Sequence, residues 1–330
     1  MMSRPVILLI GTAAFTALSL AIAASAIIQP AKPLTTPLFV LDQPNVAELP
    51  KHFRTSSDAP PAGINAAGLS DLHMAGSAAP SQLQATAALK RLPGAVIVVD
   101  LRQESHGYVN GNAVSWYGPL DDANAGKTDA EVRKTENALL ATLREQHSIT
   151  PNKIVTKNAA GQITAYEPVR PITVSSVLTE GQMWRRDFNI SSYRVFLSDR
   201  QPPNVAQIDR FIAFSKGIKG AWLWFHCRAG DGRTTTLMAL WDMMHNAKRV
   251  PLADIFARQH AIGGVDLTHV GLPSQVKYTW DKRRLTILQA FYAYARANND
   301  QFTTAFSSWL AQSAEYRKLL IPLPMKGRSQ

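Results

Sequence analysis

The sequence predicts an α/β domain: a twisted, mixed central sheet between helices, carrying a small β-rich subdomain drawn mainly from residues 105 to 185. Three observations lead there. Two continuous apolar runs, Ala95-Val-Ile-Val-Val99 and Ala221-Trp-Leu-Trp-Phe225, have the length and the β-branched or aromatic content of buried strands. The first follows a segment of helical spacing, Ser81 to Leu92, and the second precedes one in which Leu237, Leu240, Trp241 and Met244 repeat along one face. Between the two runs, Ile149 to Val174 alternates β-branched with polar residues around a Gly-Gln turn at Gly161.

Taken in order, residues 1–26 read as a secretory signal: a short start with one positive charge, an apolar stretch from Pro5 to Ala24, and the small-x-small pattern Ala24-Ser25-Ala26. An uncleaved membrane anchor is the competing reading, and both export the remainder, to the periplasm or beyond. Residues 27–60 are an extended N-terminal arm, Pro-rich over 27–50 and expected to hold no core there; residues 61–330 are the main domain. Val132, Leu139, Leu140 and Leu143 share a face of a charged helix, and Tyr193 to Leu197 is a short strand-like run. The loop Ser198-Asp-Arg-Gln-Pro-Pro203 then leads to a helix with Asn204 as N-cap and Val205, Ile208, Phe211 and Ile212 inward. Further helices fall around Leu252 to His260 and Leu285 to Ala295, and Trp116, Trp280, Phe291 and Tyr292 read as core.

An apolar share of 46% over 330 residues is that of a globular chain, not a disordered one. The formal charge is +11, or +10 without the first 26 residues, which favours polyanionic partners. No later segment is apolar for the length of a membrane span, so stable membrane association is expected only if the N-terminal segment is retained. Cys227 is the one cysteine and has no partner for a disulfide within the chain. Either it is an inert buried thiol or it is kept for its chemistry, and its neighbours decide.

Those neighbours are His226-Cys-Arg-Ala-Gly-Asp-Gly-Arg233, a loop between the second apolar run and its helix. Thiol-based phosphomonoester hydrolysis needs a thiolate, a cradle for three phosphate oxygens and an acid for the leaving alkoxide. Five residues after Cys227, Arg233 opens the helix, so the backbone N–H groups of Arg228, Ala229, Gly230, Asp231 and Gly232 curl around the positive end of the helix dipole. That field favours the thiolate. The planar fork of Arg233 matches two phosphate oxygens, and both glycines are expected to allow close approach and positive φ. The Thr234 hydroxyl is placed to hydrogen-bond the sulfur, and His226, counted with the loop's substrate-contacting residues, to shape the loop.

With these residues the chain resembles the protein-tyrosine-phosphatase-like inositol phosphatases, or cysteine phytases. The likeness extends to LPKHFRTS (49–56), LSDLHMAGSAAPS (69–81), VDLRQESHGYVNGNAVSWYG (99–118), LTEGQMWRR (178–186), RQHAIGG (258–264) and the helix around QAFYAYAR. The segment DLRQESHGYVNG discriminates best, because ordinary tyrosine phosphatases share only the Cys-to-Arg loop. The resemblance implies a protein tyrosine phosphatase-like fold and an inositol polyphosphate substrate, myo-inositol hexakisphosphate first. It also implies Cys227 as nucleophile, Arg233 as phosphate clamp and Asp199 as the acid that protonates the leaving oxygen and then activates water. Arg54, Asp121, Lys127 and Lys277 fall where the family places substrate contacts.

Two departures stand out. Asp231 puts a carboxylate where an apolar residue is expected, and opposes anion binding unless it points to solvent. Arg200 stands where histidine is expected beside the acid. Glu104 and His106 have the spacing of metal ligands, but the mechanism needs no metal and no cofactor. Two other readings are a phosphatase for phosphotyrosine proteins or phosphoinositides of a host, and a polyanion-binding module without turnover. Nucleic acid is not an expected partner.

Overall fold

Alternation along one strand sets the layers. In Trp222–Cys227, Trp222, Trp224 and His226 face one side of the sheet and Leu223, Phe225 and Cys227 the other, and every one of them is buried. The computed structural model describes residues 29–30, 34, 36–118, 121–158, 161–275 and 277–322. In it this strand is the middle of five, in the order Ser191–Arg194, Val96–Asp100, Trp222–Cys227, Met74–Ala78, Arg54–Thr55. The first four run parallel and the last antiparallel, so the sheet is mixed. A parallel strand is covered on both faces, which is why the run is apolar throughout.

The α-helices among the described residues are α1 (Gln82–Leu89), α2 (Asp129–Arg144), α3 (Glu180–Phe188), α4 (Val205–Ser215), α5 (Gly232–Asn246), α6 (Leu252–Ala261), α7 (Tyr278–Ala297) and α8 (Phe306–Gln312). Leu223, Phe225 and Cys227 pack with α4 to α8 in the larger core, while Trp222 and Trp224 pack with α1 and α3 on the opposite face. Trp224 is fully buried, edge-on to Phe53 and Trp184. Its truncation to Ala is expected to cost about 3–5 kcal/mol. Four helices begin with a capping box, at Ser81, Thr128, Thr179 and Asn204, each N-cap side chain accepting from the backbone three residues on.

The β-rich subdomain is a second sheet of seven strands. Its order is Gln29–Pro30, Ile163–Pro168, Asn152–Lys157, Leu38–Gln43, Asn112–Tyr117, His106–Val109, Val177–Leu178. Leu140 and Leu143 of α2 close its core against Val109, Val114 and Trp116.

Two expectations are corrected here. The arm does contribute core: Leu38–Gln43 is an interior strand of the second sheet and Val40 is fully buried, because the β-branched and aromatic residues in LFVLDQ outweigh the flanking prolines. Trp280, read as core, is only partly buried on the first turn of α7. The expected export signal, residues 1–26, lies outside the described residues. No helix among the described residues is long and apolar enough to cross a membrane.

Candidate active site

Cys227 closes the central strand on the face packed by α5, and the loop that follows wraps the N-terminus of that helix. Its Sγ accepts from the Gly230 N–H at 3.3 Å and from the Thr234 hydroxyl at 3.2 Å. Gly230 has φ +82°, and a Cβ there would collide with the backbone of Ser77 and Ala78. Only glycine fits. Gly232, also expected at positive φ, instead opens α5 in ordinary helical geometry.

Arg233 is buried and donates to both oxygens of Glu104, at 2.7 and 3.1 Å, and to the Leu197 carbonyl at 3.1 Å. Its Nη2 also lies 3.1 Å from Asp199 Oδ1, while its Nε–H has no hydrogen-bond partner among the described residues. Burial pushes Glu104 upward, but Arg233 and Arg102 more than offset it and hold its carboxyl well below the usual carboxylate range. Asp199 sits on the partly exposed loop after Leu197, beside Arg200 at 3.6 Å.

Behind the loop lies a buried ionic network built largely from Asp100-Leu-Arg-Gln-Glu-Ser-His106. Arg102 bridges Glu104 and Asp42. His106 turns Nδ1 to the Glu104 carbonyl and Nε2 to Glu180 Oε2, at 2.7 and 3.0 Å, so both ring nitrogens face acceptors. Burial and Arg102 oppose its charge, Asp100 and Glu136 favour it, and its pKa is pushed up to about 10. His226 donates from Nε2 to Glu180 Oε1, 2.6 Å away, and is fully buried. It shapes the loop from beneath, and the expectation that it contacts substrate is corrected. Glu104 and His106 are committed to these partners. Among the described residues, the one group of ligand atoms close enough to share an ion, Asp100, Glu180 and His226, has Arg194 and His106 at 3.0 and 3.2 Å from Asp100, so cations already serve it.

The remaining expected contacts divide. Arg228 donates to Asp42 at 2.7 Å and lies over the Tyr117 ring. Asp121 is buried with φ +61°, and its Oδ1 has no hydrogen-bond partner among the described residues. Burial first, then the charge of Glu104, push its carboxyl well above the carboxylate range. Ala229 is exposed at the rim. Asp231 answers the doubt raised by its charge: it is half-exposed and paired with His52 at 2.8 Å.

Arg54 is buried beside the loop: its Nη groups donate to the carbonyls of Gly230 and His52 and to the Thr235 hydroxyl, which supports the loop, while its Nε–H has no hydrogen-bond partner among the described residues. Burial lowers its pKa to about 10. Lys127 bonds Asn124, which holds Gln103 and Ser105 next to the acid loop. Lys277 is exposed at the start of α7 and is not brought against the loop; from the same helix Arg284 reaches the Arg200 carbonyl at 2.8 Å.

Sequence reasoning missed Lys157 and Asp42. The Lys157 ammonium sits 4.3 Å from the Tyr117 ring centroid, and burial of that ammonium and then Arg228 push its pKa down to about 8. The signal available was a lysine at the end of a strand running to the Gly161 turn. Arg200, at φ +65°, reaches that same turn through the Gly161 carbonyl.

A thiol at a strand end, a loop curled on a helix N-terminus and an arginine at the helix start, within a mixed sheet between helices, define a protein tyrosine phosphatase-like fold. The sequence model of the PTP-like phytase family, described by inositol hexakisphosphate, matches residues 99–245. A PTP-like phytase of Bdellovibrio bacteriovorus is 30% identical, with a TM-score of 0.67, over 86% of this chain and 98% of that one. The PTP-like myo-inositol phosphatase of Mitsuokella multacida, solved with myo-inositol-(1,3,4,5)-tetrakisphosphate, is 35% identical with a TM-score of 0.75, over 85% of this chain and 50% of that one. The effector protein hopD2 of Pseudomonas syringae pv. tomato is 31% identical over 281 residues, 80% of this chain and 58% of the relative. The chain belongs to the PTP-like phytase family. It spans about half the length of the Mitsuokella and Pseudomonas relatives.

Proposed function

We propose that the protein hydrolyses phosphomonoesters of inositol polyphosphates, myo-inositol hexakisphosphate first, through a cysteinyl-phosphate intermediate. The observation that carries this is the joining of three groups at one loop: the Cys227 sulfur held by Gly230 and Thr234, the unspent Nε–H edge of Arg233, and Asp199 at 3.1 Å from that arginine. Cys227 attacks phosphorus in line, and the loop N–H groups with Arg233 bind the equatorial oxygens. Phosphate takes the place of Asp199 on the Nε–Nη2 edge, which frees the carboxyl to protonate the leaving oxygen. Asp199 then removes a proton from water as it attacks the phosphocysteine, and Thr234 steadies the departing thiolate.

The substrate class rests on the tetrakisphosphate bound by the Mitsuokella relative and on the cations around the loop. Lys157 responds to the charges of Arg228, Arg200 and Asp199, which puts these cations around one space, so each ring phosphate not being cleaved can orient the one that is. Lys127, through Asn124, and Arg284, on the Arg200 carbonyl, extend this set along the rim. The effector relative keeps a second reading open, a phosphatase acting on host phosphoproteins. Export through residues 1–26 belongs to the proposal and is tested by N-terminal sequencing of the mature chain.

The test is phosphate release from inositol hexakisphosphate, a phosphotyrosine peptide and a phosphoinositide, side by side. Preference for the hexakisphosphate supports the reading; preference for the peptide or the lipid keeps the chemistry and overturns the substrate; binding without turnover of any overturns both.

A further inference from the structure

We infer that His52 and Asp231 form a latch on the outer side of the anion cradle, which aims a loop N–H at the reacting centre and strengthens anion binding when the imidazole is protonated. The inference rests on the phosphatase reading of the loop and names a positioning residue for it.

The argument starts from the planar peptide. Carbonyl and N–H of one peptide unit point in opposite directions. The Ala229 carbonyl is held outward by His52 Nδ1 at 3.0 Å, so the Gly230 N–H must point inward, where it meets Cys227 Sγ at 3.3 Å. The Gly230 carbonyl is held outward by Arg54 at 3.0 Å, which turns the Asp231 N–H inward in the same way. Asp42 grips the side chain of the preceding residue, Arg228. Three consecutive loop residues are thus each fixed by one residue of the segment 42–54.

His52 is built for this place. It has φ +56°, unfavourable for a side-chain-bearing residue, and the same Arg54 nitrogen that holds Gly230 also binds the His52 carbonyl. Between them Phe53 packs edge-on against Trp224, anchoring the segment to the core. Because both neighbours of Nδ1 are acceptors, the Ala229 carbonyl and Asp231 Oδ1, that nitrogen carries a proton in either charge state.

The second proton makes the latch respond to pH. Asp231 puts a negative charge on the loop that is to bind an anion, and an imidazolium 2.8 Å away cancels it. The other charged groups around the pair are Arg54 beneath the loop, Cys227 within it and Lys51 next in the chain; Arg54 stays charged over the range in which histidine titrates.

The experiment measures affinity for inorganic sulfate, dianionic throughout, from about pH 8 to about pH 5, with kcat/KM on inositol hexakisphosphate alongside. The proteins are wild type, His52→Asn, His52→Ala and Asp231→Asn. At pH 8 Asp231→Asn binds sulfate about three- to tenfold more tightly than wild type, and the difference closes as the pH falls. His52→Asn, whose amide N–H stands where Nδ1–H stood, matches wild type at pH 8 and lacks its gain at pH 5. His52→Ala loses affinity and kcat/KM at both. Profiles of Asp231→Asn and His52→Asn that superimpose on wild type overturn the latch, and His52→Ala equal to wild type at pH 8 overturns its positioning role. Sulfate binding is read without turnover, so a chain that hydrolyses no phosphomonoester sinks the proposed function and still leaves the latch tested.

Discussion

The signature loop and the acid loop meet at Arg233, yet they are held in opposite ways. Around the signature loop, carbonyls and side chains alike are fixed by buried partners: Arg54, Asp42, Glu104 and, through His226, Glu180. The acid loop is partly exposed, carries Arg200 in the left-handed region, and is tied mainly by Arg284, the Gly161 carbonyl and the Asp199 pair with Arg233. The first region is a preorganised anion site, in which donors need no rearrangement at the moment of reaction. The second has to change partners when phosphate arrives and is drawn from the less tightly held part of the fold. The contrast teaches that the ionic cost under the loop serves geometry more than stability.

The sharpest break is at the nucleophile: Cys227→Ser is expected to lower kcat by about 10⁴-fold or more with sulfate binding retained, measured by phosphate release and calorimetry. Next, Asp199→Asn is expected to lower kcat by about 10²- to 10⁴-fold while leaving the melting temperature nearly unchanged, since its loop carries little of the core. Glu104→Gln tests the other region. It leaves Arg233 and Arg102 without their shared carboxylate, and a loss of about 3–5 kcal/mol in denaturant unfolding is expected together with lost activity.

The pH dependence of stability sharpens the same contrast. His106 is charged in the folded state up to about 10 against 6.5 for the free side chain, so its stabilisation is complete below 6.5 and is lost as pH rises through 10. In that window the wild-type unfolding free energy should fall with a slope approaching about 1.4 kcal/mol per pH unit from this group, and His106→Asn should flatten it. Glu104 and Glu180, both held low, act in the opposite direction: their contribution is present above 4.5 and is lost on acidification. The smallest effect is expected from Gly161→Ala. A Cβ there meets the Arg200 guanidinium at a positive φ, so a cost of about 1 kcal/mol and a change in KM larger than in kcat should follow.

Much of this was legible in the residues. The central strand, its loop and α5 follow from an apolar run, a Cys-to-Arg spacing and an i, i+3, i+4, i+7 face. What was not legible falls into two kinds. Helix α3 announces itself only through a capping box, Thr179 to Gln182, within a segment that otherwise reads as β-rich. The partners of the loop come from residues remote in the chain: Asp42 and His52 lie about 180 positions away, and no local pattern says which loop carbonyl or side chain they reach. The hold of Arg54 on the Gly230 carbonyl is of the same kind, because the two residues lie 176 positions apart.

The central claim, that Cys227 carries the phosphoryl group, is tested most directly by quenching a reaction with inositol hexakisphosphate in acid within milliseconds and mapping phosphate onto peptides by mass spectrometry. The account predicts phosphate on the Cys227 peptide and on no other, accumulating during turnover and absent from Cys227→Ser. Steady phosphate release with an unmodified Cys227 peptide, or undiminished release by Cys227→Ser, would contradict it.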